Sequence, residues 1–317
     1  MANTSLSANL NVNKFREIYD EVIEEIDREI TIAIVGRGKV GKAEVGAWFL
    51  LNRDNLADGE VHGIIMGEYG SDIESSTAAL SAADRADIIL FVTDASRRSY
   101  RSDLPMWRVV RDQKKPYLLI GNKLDLSGGD AREVKHRLTD VFGAPLNQIA
   151  VISAKDGTNV LEELLPRIVA VAKGLEIPLA RRFPIFRKAV ANRVTTATAA
   201  ENSVIGVLIF LPAADMPVMT ANQVKMILKI AVAYGQDISL ERLKELMVVF
   251  GGAIAFRAAA RNLAAFIPAL GWAVKGGIAY GGTVALGKTA VKYFETYTRE
   301  RVPAGRALKA GQEVIDV

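Results

Sequence analysis

The chain has 317 residues, half of them apolar and about a quarter charged, a globular balance whose length suggests two domains. It has no cysteine and two histidines, His62 and His136, which excludes disulfides, cysteine-based zinc sites and thiol catalysis and leaves no basis for a multi-histidine metal centre. The net charge of +4 is uneven, −5 over residues 1–180 and +9 over residues 181–317, and the basic half is the more apolar one. That pairing points to an anionic surface, lipid headgroups before nucleic acid, or else to a solvated basic face.

Residues 1–11 are polar and expected to be disordered. Over 12–29, Phe15, Ile18, Tyr19, Val22, Ile23 and Ile26 recur at helical spacing with acidic residues opposite, so an amphipathic helix is expected. The opening stretch MANTSLSANLNVNKF has no apolar signal core, and a reducing cytoplasm is the expected setting. Apolar runs at Ile30–Val35, Val61–Met66, Ile88–Thr93, Tyr117–Ile120 and Ile149–Ile152 read as buried strands. Helical segments at about 43–53, 72–84, 101–113, 131–141 and 158–174 alternate with them. This order predicts an α/β domain, a parallel sheet with helices on both faces. The Pro- and Arg-rich stretch 176–184 reads as a linker. Beyond it, 185–317 is an Ala/Gly-rich helical region.

Three motifs stand at the C-terminal ends of predicted strands, where open α/β sheets bind ligands. Gly36-Arg37-Gly38-Lys39-Val40-Gly41-Lys42-Ala43 joins the first strand to a helix. Its glycines allow backbone N–H groups to wrap phosphate, and Lys42 would reach the β- and γ-phosphates. The last position should carry a hydroxyl for Mg²⁺, and Ala43 has none. Asn122-Lys123-Leu124-Asp125 matches the N/T-K-x-D pattern. There the Asp carboxylate accepts guanine's two edge N–H groups, the Asn meets the N7 side and the lysine stem covers the ring. Ser153-Ala154-Lys155 matches the loop whose backbone N–H meets guanine O6.

With the stretch Ala83–Asp94, these residues resemble the Era-like branch of P-loop GTPases over about 29–175. The resemblance implies GTP or GDP as ligand. The family's D-x-x-G aspartate falls on Gly67 of Gly67-Glu68-Tyr69-Gly70, and the segment before it is too short for a threonine-bearing switch. Asp72 and Glu74 are the candidate substitutes for the missing carboxylate. Without protein ligands for Mg²⁺, weak or absent metal binding, weak triphosphate affinity and little hydrolysis are expected, so no residue is assigned a catalytic role. GTP, GDP, GMP or an empty site are each compatible with such a domain.

Residues 185–300 resemble a YcjF-type domain of unknown function, through Leu211–Pro217, Gln223–Ile227, Ala233–Gly235, Ala258–Arg261, Ile267–Gly271 and Tyr293–Glu295, and this implies a bacterial inner-membrane association. Leu263–Gly287 is long enough to cross a bilayer, yet Pro268, Lys275 and five glycines interrupt it. Its small residues serve a membrane hairpin, a tight bundle or an oligomer interface alike. The sequence therefore predicts a degenerate guanine-nucleotide-binding protein, a regulatory or assembly module. Expected partners are an anionic membrane surface, met peripherally or by a hairpin, and further copies of itself. A true GTPase with another metal site, or a scaffold binding no nucleotide, are the alternatives. Nucleic acid is not expected, since no recognition motif accompanies the basic residues.

Overall fold

The computed structural model describes residues 12–26, 28–50, 63–70, 73–208, 216–236 and 271–301. The chain divides into two compact units, one of residues 25–190 and one of residues 1–24 with 191–317.

The first unit is built on five parallel strands, β1 (Ile32–Arg37), β2 (Ile64–Tyr69), β3 (Ile88–Asp94), β4 (Tyr117–Asn122) and β5 (Ile149–Val151), in the order β2-β1-β3-β4-β5. β3 is buried along its whole length, as expected of a central strand covered on both faces. On one face Val35, Phe91, Leu119 and Val151 pack against helices α3 (Ile73–Arg85), α4 (Leu104–Asp112) and α5 (Ala131–Phe142). Phe91, Trp107 and Phe142 meet edge to face there, with ring centroids 5.4–6.2 Å apart. Each fully buried side chain of this size contributes about 2 kcal/mol of transfer free energy. Asp130 caps α5, accepting from the backbone N–H groups of Arg132 and Glu133.

On the other face lies α2 (Lys42–Leu50). Its Phe49 packs on Phe183 and Phe186, at 6.3 and 5.3 Å between ring centroids. Phe183 belongs to the stretch read as a linker, and Phe186 lies just beyond it. Residues 176–184 instead hold a helix, α7 (Glu176–Arg182), leading into a short turn at Pro184–Phe186, and Ile177, Leu179, Phe183 and Phe186 are buried. The two prolines that suggested a break sit within α7 and at the start of the turn. The helix expected over 158–174 is also changed. Asn159 is left-handed at φ 63°, a wide π turn follows at Val160–Leu164, and α6 (Leu165–Val171) completes it.

The strand read as Val61–Met66 runs instead from Ile64 to Tyr69, with 61 and 62 outside the described residues. Pairing with β1 carries it on, Gly67 opposite Val35, Glu68 opposite Gly36 and Tyr69 opposite Arg37. Gly67 is required by packing. A Cβ there would lie 3.0 Å from Ala79 Cα and 3.1 Å from Ala82 Cβ on α3, so an aspartate could not take this place without moving the helix.

The second unit contains α1 (Val12–Glu24), α8 (Arg187–Leu208, from Ala191 onward), α9 (Met216–Ala233) and α10 (Gly271–Arg301). The amphipathic α1 belongs to this unit and packs against α9, with Ile18 and Val22 buried and Glu21 paired with Lys225. Asn202, Asn222, Gln223 and Thr283 form a polar layer joining α8, α9 and α10. Among the described residues no helix is long and apolar enough to cross a membrane. Residues 263–270 of the apolar stretch, Val248–Phe256 and Asp215 lie outside the described residues.

Candidate functional site

The three motif segments meet at the C-terminal edge of the sheet. The loop from Gly36 to Lys42 leaves β1 and enters α2 with Lys39 at φ 63° and Gly41 at φ 89°. Gly41 needs both its freedom and its lack of a side chain, because a Cβ there would stand 2.2 Å from Asn122 Nδ2. Left-handed residues leading into a helix start are the backbone pattern of anion-binding loops.

Asn122, at the end of β4 and 3% exposed, ties this loop to the loop at Ala154. Its Nδ2 donates to the Val40 carbonyl at 3.0 Å, and its Oδ1 accepts from the Ala154 N–H at 2.9 Å. The next residue, Lys123, is left-handed at φ 66°, which turns the chain into the short Leu124–Leu126 helix and brings Asp125 to the surface. The Leu124 N–H donates to the Ile152 carbonyl at 3.0 Å, so this turn is fastened to the strand before Ser153. Ser153 and Ala154 are buried, and Lys155 is exposed.

Two residues outside the motifs support these. Asp94 ends β3 opposite Asn122 and accepts from Lys123 Nζ at 2.9 Å and from the Ser96 N–H and hydroxyl at 3.0 and 2.6 Å. Burial pushes its carboxyl up, but the Ser96 and Lys123 hydrogen bonds outweigh this and hold it below its ordinary value. Trp48 of α2 donates from Nε1 to the Ala154 carbonyl at 2.8 Å and lies against Gly157. Asp94 could have been found as a carboxylate at a strand end beside a motif. Nothing local marks Trp48.

On the phosphate side, Lys42 is 9% exposed and donates to the Arg37 carbonyl at 2.8 Å and to Glu68 Oε2 at 2.9 Å. Glu68, near the end of β2, faces the loop at Gly38, and Glu44 Oε2 on α2 lies 3.5 Å from where a Cβ on Gly41 would stand. Asp72 and the side chain of Glu74 lie outside the described residues. Hard divalent cations need oxygen ligands. At the two motif positions expected to supply magnesium ligands, Ala43 offers a methyl group and Gly67 nothing, so neither fits a magnesium ion, and Glu68 is paired with Lys42.

No family model matches the chain. Among curated proteins it is similar to a GTPase Der of Tolumonas auensis, 26% identical over 160 residues, covering 42% of this chain and 31% of that protein. It is also similar to an elongation factor 4 of Acetivibrio thermocellus, 30% identical over 158 residues, covering 49% of this chain and 24% of that one. This chain carries a P-loop GTPase domain. The chain spans about a third of the length of the first curated relatives it matches. Among solved structures, a probable GTP-binding protein engB matches at 23% identity and a TM-score of 0.36, covering 45% of this chain and 98% of that one. Among the motif residues, Asn122, Lys123 and Ala154 are each fixed by at least one hydrogen bond, and Lys42 by two.

Proposed function

We propose that the GTPase domain binds a guanine nucleotide and serves as a regulatory or assembly module with little hydrolysis of its own. The observation that carries this is the double hydrogen bond of Asn122 to Val40 and Ala154, which sets the phosphate loop and the base-reading loop at one place with Asp125 exposed beside them. An exposed carboxylate there can accept the two edge N–H groups of guanine, whereas adenine offers the wrong donors. Weak turnover follows from Ala43 and Gly67, which leave charge neutralisation at the phosphates to Lys42. The net charge of +9 over residues 181–317 supports a peripheral contact of the chain with anionic headgroups.

The test is a titration of the full chain with guanosine, GDP and GTP, with a phosphate-release assay beside it. Asp125→Ala removes two hydrogen bonds to a charged acceptor and is expected to weaken guanosine and GDP about 100-fold. Equal affinity for adenosine and guanosine in the parent would defeat the base reading. Clear GTP turnover with magnesium would defeat the module reading and leave the base reading standing.

A further inference from the structure

We propose that Glu68 selects the guanine ligand by its number of phosphates, because its carboxylate occupies the anion position at Lys42 and must leave before a phosphate enters. The proposal rests on the guanine-nucleotide reading above.

The geometry is specific. Strand alternation buries Gly67 and Tyr69 and turns Glu68 outward, while pairing with β1 places it opposite Gly36, the first residue of the phosphate loop. Its Oε2 lies 2.9 Å from Lys42 Nζ, and its Oε1 lies 3.0 Å from where a Cβ on Gly38 would stand. The carboxylate therefore lies over the loop, against the one cation buried within it. The pair is asymmetric. Lys42 is buried and also held by the Arg37 carbonyl, whereas the Glu68 side chain is 60% exposed. A phosphate arriving at Lys42 takes the place of Glu68, and the displaced carboxylate returns to water at small cost. It nevertheless remains close on the fixed end of β2. Its repulsion of the ligand then grows with each added phosphate. Ligands with few phosphates gain relative to GTP.

The experiment is calorimetric titration of the full chain with guanosine, GDP, GTP and inorganic pyrophosphate, in EDTA and again with magnesium. Parent, Glu68→Gln and Glu68→Ala are compared, each checked for an unchanged melt without ligand. The expected result in EDTA is unchanged guanosine affinity, about tenfold tighter GDP in both variants, and a larger gain for GTP. Unchanged GDP and GTP affinity in both variants overturns the proposal. So does an equal gain for guanosine, which would mean a general change in the site. A loss of GTP affinity in Glu68→Gln with magnesium overturns it too, and makes Glu68 a metal ligand. Tighter pyrophosphate in the variants without guanosine binding by any of them supports the competition at Lys42 and overturns only the base reading.

Discussion

Asp94 shows how one carboxylate can be structural and titratable at once. Its folded-state pKa is depressed by Ser96 and Lys123 acting against burial. A depressed folded pKa contributes stability that is present above the unfolded value and lost as pH falls through the folded one. Asp94→Asn is therefore expected to destabilise the GTPase domain by about 1–2 kcal/mol at pH 7. The gap between variant and parent should narrow as the pH drops below about 4. Urea unfolding at pH 7 and pH 3 measures it, and a gap independent of pH would contradict the assignment. At this scale the motif residues could be read directly from their sequence. Glu68 could not, because its role depends on which residue of β1 it faces, and an apolar run ending at Met66 gives no sign that the strand continues.

Among elements, the helical unit is specified by polarity as much as by packing. Thr283 is fully buried on α10, donates to the Ala279 carbonyl at 2.8 Å and accepts from Asn202 at 3.1 Å and Gln223 at 3.3 Å. Thr283→Val keeps the shape but leaves both amides without that acceptor. A cost of about 1–3 kcal/mol is expected, measured by thermal unfolding. Replacing the whole layer by apolar residues should cost less than this single change, since no buried donor is then stranded. The strands and most helices of the sheet were legible because their apolar runs have the right length and order. The helix at Glu176–Arg182 was not, because prolines and arginines read as a break, and only the buried Ile177, Leu179 and Phe183 show what holds it.

For the molecule as a whole, the boundary between units does not follow chain order. The first helix, an acidic amphipath, announces a buried stripe but not its partner, and that partner, α9, lies some 200 residues on. Deleting residues 1–24 removes the buried Ile18 and Val22 and the Glu21–Lys225 pair from the helical unit. Amide hydrogen exchange over Met216–Ala233 should then rise by several orders of magnitude, with the amides of β3 unchanged. Loss of protection in β3 would show that the two units do not keep their stability separately.

Asn122 has a further consequence. One side-chain amide, buried and committed at both ends, makes the loop at Val40 and the loop at Ala154 a single mechanical body. On the proposed nucleotide reading, a molecule with both a base and a phosphate is expected to bind with a free energy beyond the sum for guanosine and pyrophosphate measured apart, and Asn122→Ala is expected to remove that excess. Coupling of this kind needs no movement between open and closed shapes, only a shared loss of freedom across the two loops that Asn122 joins.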